Sequence, residues 1–356
     1  MLDSKEVRKS FPHLAEGVYL NTASAGLSWI GQGPAAAQFY SDKFNGIGGS
    51  SEWTAKADAT RAALGRLCGV APGSIQFFGS TTGALNLIAL AMPLAQGDCV
   101  LVAEDEFPSV VQPWITLHRN GVRLNRVQIR NEAERTQALA AAVDSHTRVL
   151  AVSHVHWRTG TRVDLSALAA VCRRHDCRLI VDGVQAAGAV PPDASEADAY
   201  CASVFKWLLS GFGLAFMVLS ERISNELTPA MRGYSNPPPS RSLRYGHLNY
   251  PGIYALHGTL QYLESVGWQN IYEQVDRLAL HAITALRHRG FDVVTPEECH
   301  GGIVSIRHSA TADVVKALAE QSIFVEDGTP FLRASPHFYN TEDEVDRFVN
   351  AMASVG

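Results

Sequence analysis

The sequence predicts an α/β protein: a large domain with a mainly parallel sheet in α/β/α layers, followed by a small α+β C-terminal domain. Three observations carry that expectation. From Ser74 to about Met217, short β-type runs alternate with helical periods, the pattern of a parallel sheet covered by helices. NPPPSRS (236–242) then interrupts the chain with prolines that can continue neither a helix nor a central strand. Beyond it, two long helical periods lead into the short apolar runs FDVV, GIVSI, FVE and FLRAS, interleaved with helices near Ala312–Glu320 and from Glu342. The boundary is expected near residue 255, giving a large domain over 15–255 and a small one assembled from 1–14 and 256–356.

Taken in order, the chain opens with a short helix ending near Pro12. VYLNTASAGL (18–27) follows, extended and rich in small residues, which suits either a tight turn or close contact with backbone or ligand. Apolar residues three and four apart place helices at Gln32–Phe44 and Glu52–Leu67, with NGIGGSS (45–51) as a flexible loop between them. Strands are expected at Ile75–Phe78, Cys99–Val102, Arg123–Val127, Val149–Val152, Arg178–Val181, Ala199–Ser203 and Leu214–Leu219. Helices fit Thr82–Ala91, Pro108–Arg119, Glu132–Val143 and Asp164–His175, the last beginning on an aspartate suited to capping. After the proline break come helices near Pro251–Val266 and Trp268–Arg289.

Composition narrows the function classes. A net charge of −5 over 356 residues, without a basic run, argues against nucleic acid and favours a small metabolic substrate. The six cysteines lack a paired spacing and read as buried thiols in a reducing compartment, neither a disulfide framework nor a metal site. The first residues contain no signal-type apolar core, and no apolar run reaches the length of a membrane span, so the expectation is a cytoplasmic protein without a membrane partner.

The chemistry concentrates between Cys177 and Gly213. Leu179-Ile180-Val181 is a buried strand that delivers Asp182 at its C-terminal end, where open α/β sheets bind ligands. Gln185 lies three residues on. A second β-type run, Ala199–Val204, delivers Lys206 between Phe205 and Trp207, where desolvation favours a free amine able to act as a nucleophile. A carboxylate for a pyridinium, an amide for a phenolate and a lysine for a Schiff base are what pyridoxal 5'-phosphate requires.

DGVQAAG, the lysine in SVFKW, and stretches from VYLNTAS (18–24) to YNTEDEVDRF (339–348) together resemble the class V aminotransferase and cysteine desulfurase group of fold-type I pyridoxal-phosphate enzymes, over nearly the whole chain. The resemblance implies that Lys206 carries the cofactor and then serves as the base at Cα, that Asp182 holds the pyridine nitrogen, and that Gln185 tunes the phenolate oxygen. In FFGSTTGALNLIA (77–89) it assigns the phosphate to Thr82 and Ser203, with Thr81 beside them, at a helix N-terminus suited to an anion. Phe107 takes the ring-stacking place, where desulfurases carry histidine and kynureninases phenylalanine. In SHVHWRTG (153–160) it puts His154 near the cofactor oxygen and the substrate carboxylate, with His156, Trp157 and Arg158 as candidates for the pocket lining. Arg333 would grip the substrate α-carboxylate. RYGHLNYPGIYAL (244–256) matches the segment that reaches the neighbouring subunit's phosphate, with His247 replacing the usual threonine and Asn249 as another donor, which implies a homodimer with a shared site.

Within the group, SHVHWRTG is nearer to cystine C–S lyases, isopenicillin N epimerase-like and kynureninase-like members than to desulfurases. The interval before Arg333, EDGTPFL (326–332), contains no cysteine to accept sulfur. The expected reaction is therefore elimination at a C–S bond without a protein persulfide. The alternatives are epimerisation, transamination or kynureninase-type cleavage, and, outside enzymes, a catalytically silent binding or regulatory subunit.

Overall fold

The computed structural model describes residues 4–355. Its N-terminal part comprises α1 (Ser4–Lys9), β1 (Val18–Tyr19), α2 (Gln32–Asp42) and α3 (Ser50–Cys68). The alternating part then runs β2 (Ile75–Phe78), α4 (Thr81–Ala91), β3 (Cys99–Ala103), α5 (Pro108–Ile115), β4 (Arg123–Val127), α6 (Arg135–Ala142), β5 (Thr147–Ser153) and α7 (Leu165–Arg174). β6 (Arg178–Asp182), β7 (Ala199–Ser203), β8 (Ala215–Leu219) and a short α8 (Glu221–Ser224) complete it. The seven strands form one sheet in the order β2-β8-β7-β6-β5-β3-β4, in which only β8 runs antiparallel to its neighbours. The mainly parallel sheet and its covering helices are those expected. Asp164 caps α7, its side chain accepting from Ala167 N–H at 3.0 Å.

Strand alternation divides the core. Leu150, Val152, Leu179, Val181, Tyr200 and Ala202 face one apolar cluster, while Val149, Ala151, Ile180, Ala199 and Cys201 face another that includes α4 and α5. Beyond the sheet lie α9 (Tyr250–Val266), α10 (Trp268–His288), β9 (Val304–Arg307), α11 (Thr311–Glu320), β10 (Ile323–Phe324), β11 (Glu326–Gly328), β12 (Phe331–Ala334) and α12 (Glu342–Val355). β11, β12 and β9 form an antiparallel sheet whose third apolar core draws on residues 278–352, joined by Val18 and Leu20. Residue 255 lies inside α9, which packs on α2 and α3.

Two local expectations are corrected. NGIGGSS is not a flexible loop: Lys43–Gly49 is a 3₁₀ segment kinked at Gly46, and Ser50–Ser51 already belong to α3. Glycine's tolerance of the φ of 56° at Gly46 permits the non-helical kink between the two helical pieces. FDVV is not a strand either, since only Val293 bridges, to Ile306. No helix among the described residues is long and apolar enough to cross a membrane.

Candidate active site

Asp182 and Ser203 occupy the C-terminal ends of adjacent parallel strands on the face shared with α4. Ser80 caps α4, accepting from Gly83 N–H at 3.0 Å. Ser203 Oγ accepts from Thr81 N–H and lies against Thr81 Oγ1, both at 2.9 Å, which draws the helix start onto β7. Thr82 Oγ1 pairs with Ser109 Oγ at 2.7 Å. A helix start, with its positive dipole end and the clustered hydroxyls of Thr81, Thr82 and Ser203, is a fitting cradle for a phosphate.

Asp182 is buried and receives Val184 N–H at 2.9 Å. Burial raises its pKa to about 6, and nearby Lys206 only partly offsets this. A buried carboxylate so weakly compensated suits a protonated ring nitrogen. The lysine is tuned in the complementary sense: burial, with Arg333 as a second positive charge, lowers Lys206 to about 8. Its turn is fixed on several sides. Gly26 N–H donates to Phe205 O at 2.9 Å, and a Cβ at Gly26 would fall 2.1 Å from Lys206 O. Trp207 is buried, and its Nε1 donates to Gln185 Oε1 at 2.8 Å. Gln185 Nε2 donates to Ala23 O at 3.0 Å. The small residues of VYLNTASAGL thus give close backbone approach, the second of the two readings of that stretch.

A cavity of about 210 Å³ opens beside Lys206 and Gln185, walled by Phe107, Trp157, Arg158, Phe331 and Arg333 among others. Phe107 meets Trp157 edge-on, with centroids 5.5 Å apart. Arg333 is buried and donates to Trp157 O at 2.6 Å and to Ser24 Oγ at 2.7 Å. Ser24 Oγ in turn donates to Glu326 Oε2 at 2.8 Å, which also accepts from Asn21 Nδ2 at 2.9 Å. Burial lowers the pKa of Arg333, opposed by the charge of Glu326. A wider groove of about 740 Å³ between α6, α7 and residues 298–299 contains none of the strand-end groups.

His154 is placed otherwise than expected. It continues the alternation of Leu150 and Val152, so it turns to the face opposite Asp182 and meets the Tyr200 ring edge-on at 6.2 Å. It does not line the cavity, and burial depresses its pKa to about 3. Trp157, three residues on, takes the cavity position. His156 is buried behind the wall, with Nδ1 2.8 Å from Thr159 Oγ1 and Nε2 3.0 Å from Asp105 O. Asp105, Glu132 and His156 are the only acid-and-histidine group among the described residues close enough to share a metal ion. Arg135 already lies there, bonding Asp105 at 2.6 Å and Glu132 at 2.9 Å, and its charge opposes a metal cation. This network pins the turns carrying Phe107 and Trp157. Asn249 is likewise committed, capping α9 and donating to Gly213 O at 3.0 Å, while His247 is exposed with its ring against Tyr234.

The buried carboxylate of Glu106 escaped the sequence reading. It accepts from Ser153 N–H at 2.9 Å and Ser153 Oγ at 2.6 Å, tying β5 to the turn before α5. Its signal was an acid next to Phe107 just past a strand end.

The family model for Aminotransferase class-V matches residues 36–348. This chain is a class V aminotransferase family member. The family uses pyridoxal phosphate, and the residues just described fit that group, so the protein is a pyridoxal-phosphate-dependent enzyme. Isopenicillin N epimerase of Streptomyces clavuligerus is 29% identical over 331 residues, 82% of either chain. A cysteine desulfurase of Salmonella dublin is 27% identical over 323 residues, covering 78% of this chain and 77% of the desulfurase. In fold, the chain is similar to a cystine C–S lyase solved with its product cysteine persulfide, with a TM-score of 0.90, 23% identity, and coverage of 97% of this chain and 100% of the lyase. It is also similar to apo cysteine desulfurase from Thermococcus onnurineus NA1, with a TM-score of 0.89, 22% identity, and coverage of 99% and 98%.

Proposed function

We propose that this class V enzyme removes the Cα proton of an amino acid and expels a sulfur group from Cβ, without passing sulfur to a protein cysteine. Lys206 carries the reading as the only amine on the cavity wall, with a pKa lowered to about 8 that leaves roughly a tenth of it unprotonated at pH 7. Thr81, Thr82 and Ser203 hold the cofactor phosphate, Asp182 keeps a positive charge on the ring nitrogen, Phe107 covers the ring and Gln185 borders it. When bound, pyridoxal phosphate supplies the electron sink for Cα deprotonation. Arg333 takes the α-carboxylate, held at that angle by Trp157 O and Ser24.

None of the six cysteines lines the cavity; five are buried and Cys299 is half-buried. Burial raises the pKa of Cys68, Cys99 and Cys201, away from the reactive thiolate. Sulfur therefore leaves as the free thiol or persulfide, and the remaining aminoacrylate hydrolyses to pyruvate and ammonia. The deciding experiment is turnover of cysteine and cystine with both products and protein analysed. Pyruvate with ammonia supports the reading, and alanine with a protein-bound persulfide overturns it. Epimerisation is the second reading, favoured by the 29% identical relative. A two-base epimerase needs a second proton-transferring group, but Phe107 and Trp157 offer none and Glu326 is engaged by Asn21 and Ser24. A D-amino acid product would decide for it.

The same reading makes the enzyme a homodimer with His247 reaching across. Exposed Phe44 (87%), Ile47 (83%), Phe212 (71%) and Tyr234 (64%) supply apolar surface for an interface. Sedimentation at micromolar concentration measures it. The large domain of 15–255 and small domain of 1–14 with 256–356 belong to the proposal as well, supported by the separate third core.

A further inference from the structure

The cavity wall contains three cations, Lys206, Arg333 and Arg158. Lys206 and Arg333 already have roles, and Arg333 is linked through Ser24 to Glu326. Arg158 has neither role nor counter-charge. It makes no hydrogen bond or ion pair among the described residues, and its Nε is buried without an acceptor. Its guanidinium lies over the Trp157 ring at 4.6 Å and against Phe331 at 5.7 Å, so aromatic faces fix it in place without neutralising it. Arg307, over the same Phe331 ring, pairs with Asp292 at 3.0 Å. Asp327, the other acid on the cavity wall, has an oxygen occupied by Thr311 at 2.6 Å and Thr329 at 2.8 Å. Arg158 also lines the groove outside Phe331, so it forms the wall between cavity and groove.

We propose that Arg158 recognises a second anionic group at the far end of the substrate side chain, so that the substrate is an amino acid carrying a distal carboxylate or an equivalent oxyanion. This rests on reading the cavity as the amino-acid site. An uncompensated, preoriented guanidinium forms charge-assisted, bidentate bonds to a carboxylate that an amide or methyl group cannot match. In an S-substituted cysteine, the anion would sit on the departing thiol.

The test measures dissociation constants of S-carboxymethylcysteine, its amide S-carbamoylmethylcysteine and S-methylcysteine with the holoenzyme, by rapid mixing and the cofactor absorbance change. The acid should bind at least about tenfold tighter than the amide in the parent protein. Arg158→Met should abolish that preference, Arg158→Lys should retain part of it, and S-methylcysteine should bind alike to all three. Equal affinity of acid and amide in the parent, or a preference that survives Arg158→Met, overturns the inference. If Arg158→Met does not fold, the parent comparison and Arg158→Lys still decide it. Acid preference without release of a thiol would leave Arg158's role standing and remove the lyase reading. No absorbance response to any of the three would remove both.

Discussion

Asp182 and Ser203 stand on neighbouring strands whose backbones are locked in the middle of a seven-stranded sheet, whereas the cavity wall is assembled from distant stretches of chain. Arg333 reaches Ser24 across 309 positions of sequence and Trp157 across 176. The first region is rigid because parallel pairing fixes side-chain direction at strand ends. The second depends on the β11–β12 hairpin, the 21–27 segment and the turn after β5 meeting correctly. Mutations at the strand ends should therefore change chemistry and cofactor state, while those in the wall should change recognition.

Lys206→Ala gives the largest expected effect. No cofactor should remain fixed to the protein after borohydride reduction, and turnover should fall by roughly 10²–10⁴-fold or more. Peptide mass spectrometry checks it, and reduced cofactor on Lys56 or Lys316 would move the site. In the parent protein, attachment of added cofactor should accelerate about tenfold per pH unit below pH 8 and level off above it, because the free amine is the reacting form.

Asp182→Asn sets function against stability. Turnover should drop on the order of 10²-fold with cofactor retained, the scale of losing one preorganised electrostatic contact. The cofactor-free variant should nonetheless be more stable than the parent at pH 7. A carboxyl raised from 3.8 to about 6 on folding opposes folding by about 3 kcal/mol once ionised. Because the folded pKa is the higher one, this group's favourable contribution is complete below pH 3.8 and lost as pH rises through 6. The stability advantage of the variant should accordingly vanish below pH 4, which urea titrations at pH 4 and 7 measure.

Arg333→Ala should raise KM for α-amino acids by roughly tenfold or more with a smaller change in kcat, and Arg333→Lys should recover part of it. A loss confined to kcat would assign Arg333 to the chemical step and erase the contrast between the two regions. The smallest effect is expected for Thr82→Val, a weakening of cofactor affinity by about 2–10-fold, the worth of one hydroxyl contact, measured by equilibrium dialysis.

Local pattern alone determined much of this protein. β2, β4 and β7 have the bounds read from the sequence; Asp182 and Lys206 were nominated because apolar strands end abruptly in polar groups, and Thr82 and Ser203 through the family resemblance. Hydrophobic periodicity is a property of adjacent residues, so a chain read in order reveals it. Which face a residue joins just beyond a strand is not such a property. His154 looked like a site residue from its neighbours, yet one step of alternation sends it to the Tyr200 side and leaves the wall to Trp157. Arg135, an ordinary helix-start arginine in sequence, becomes buried between Asp105 and Glu132 only when α6 meets the turn after β3. Arg158 could be nominated as pocket lining from sequence, but its lack of a counter-charge is a fact of three dimensions. Pairing between residues tens or hundreds of positions apart is decided by how elements pack, and packing alone shows which charges are satisfied and which are left for a ligand.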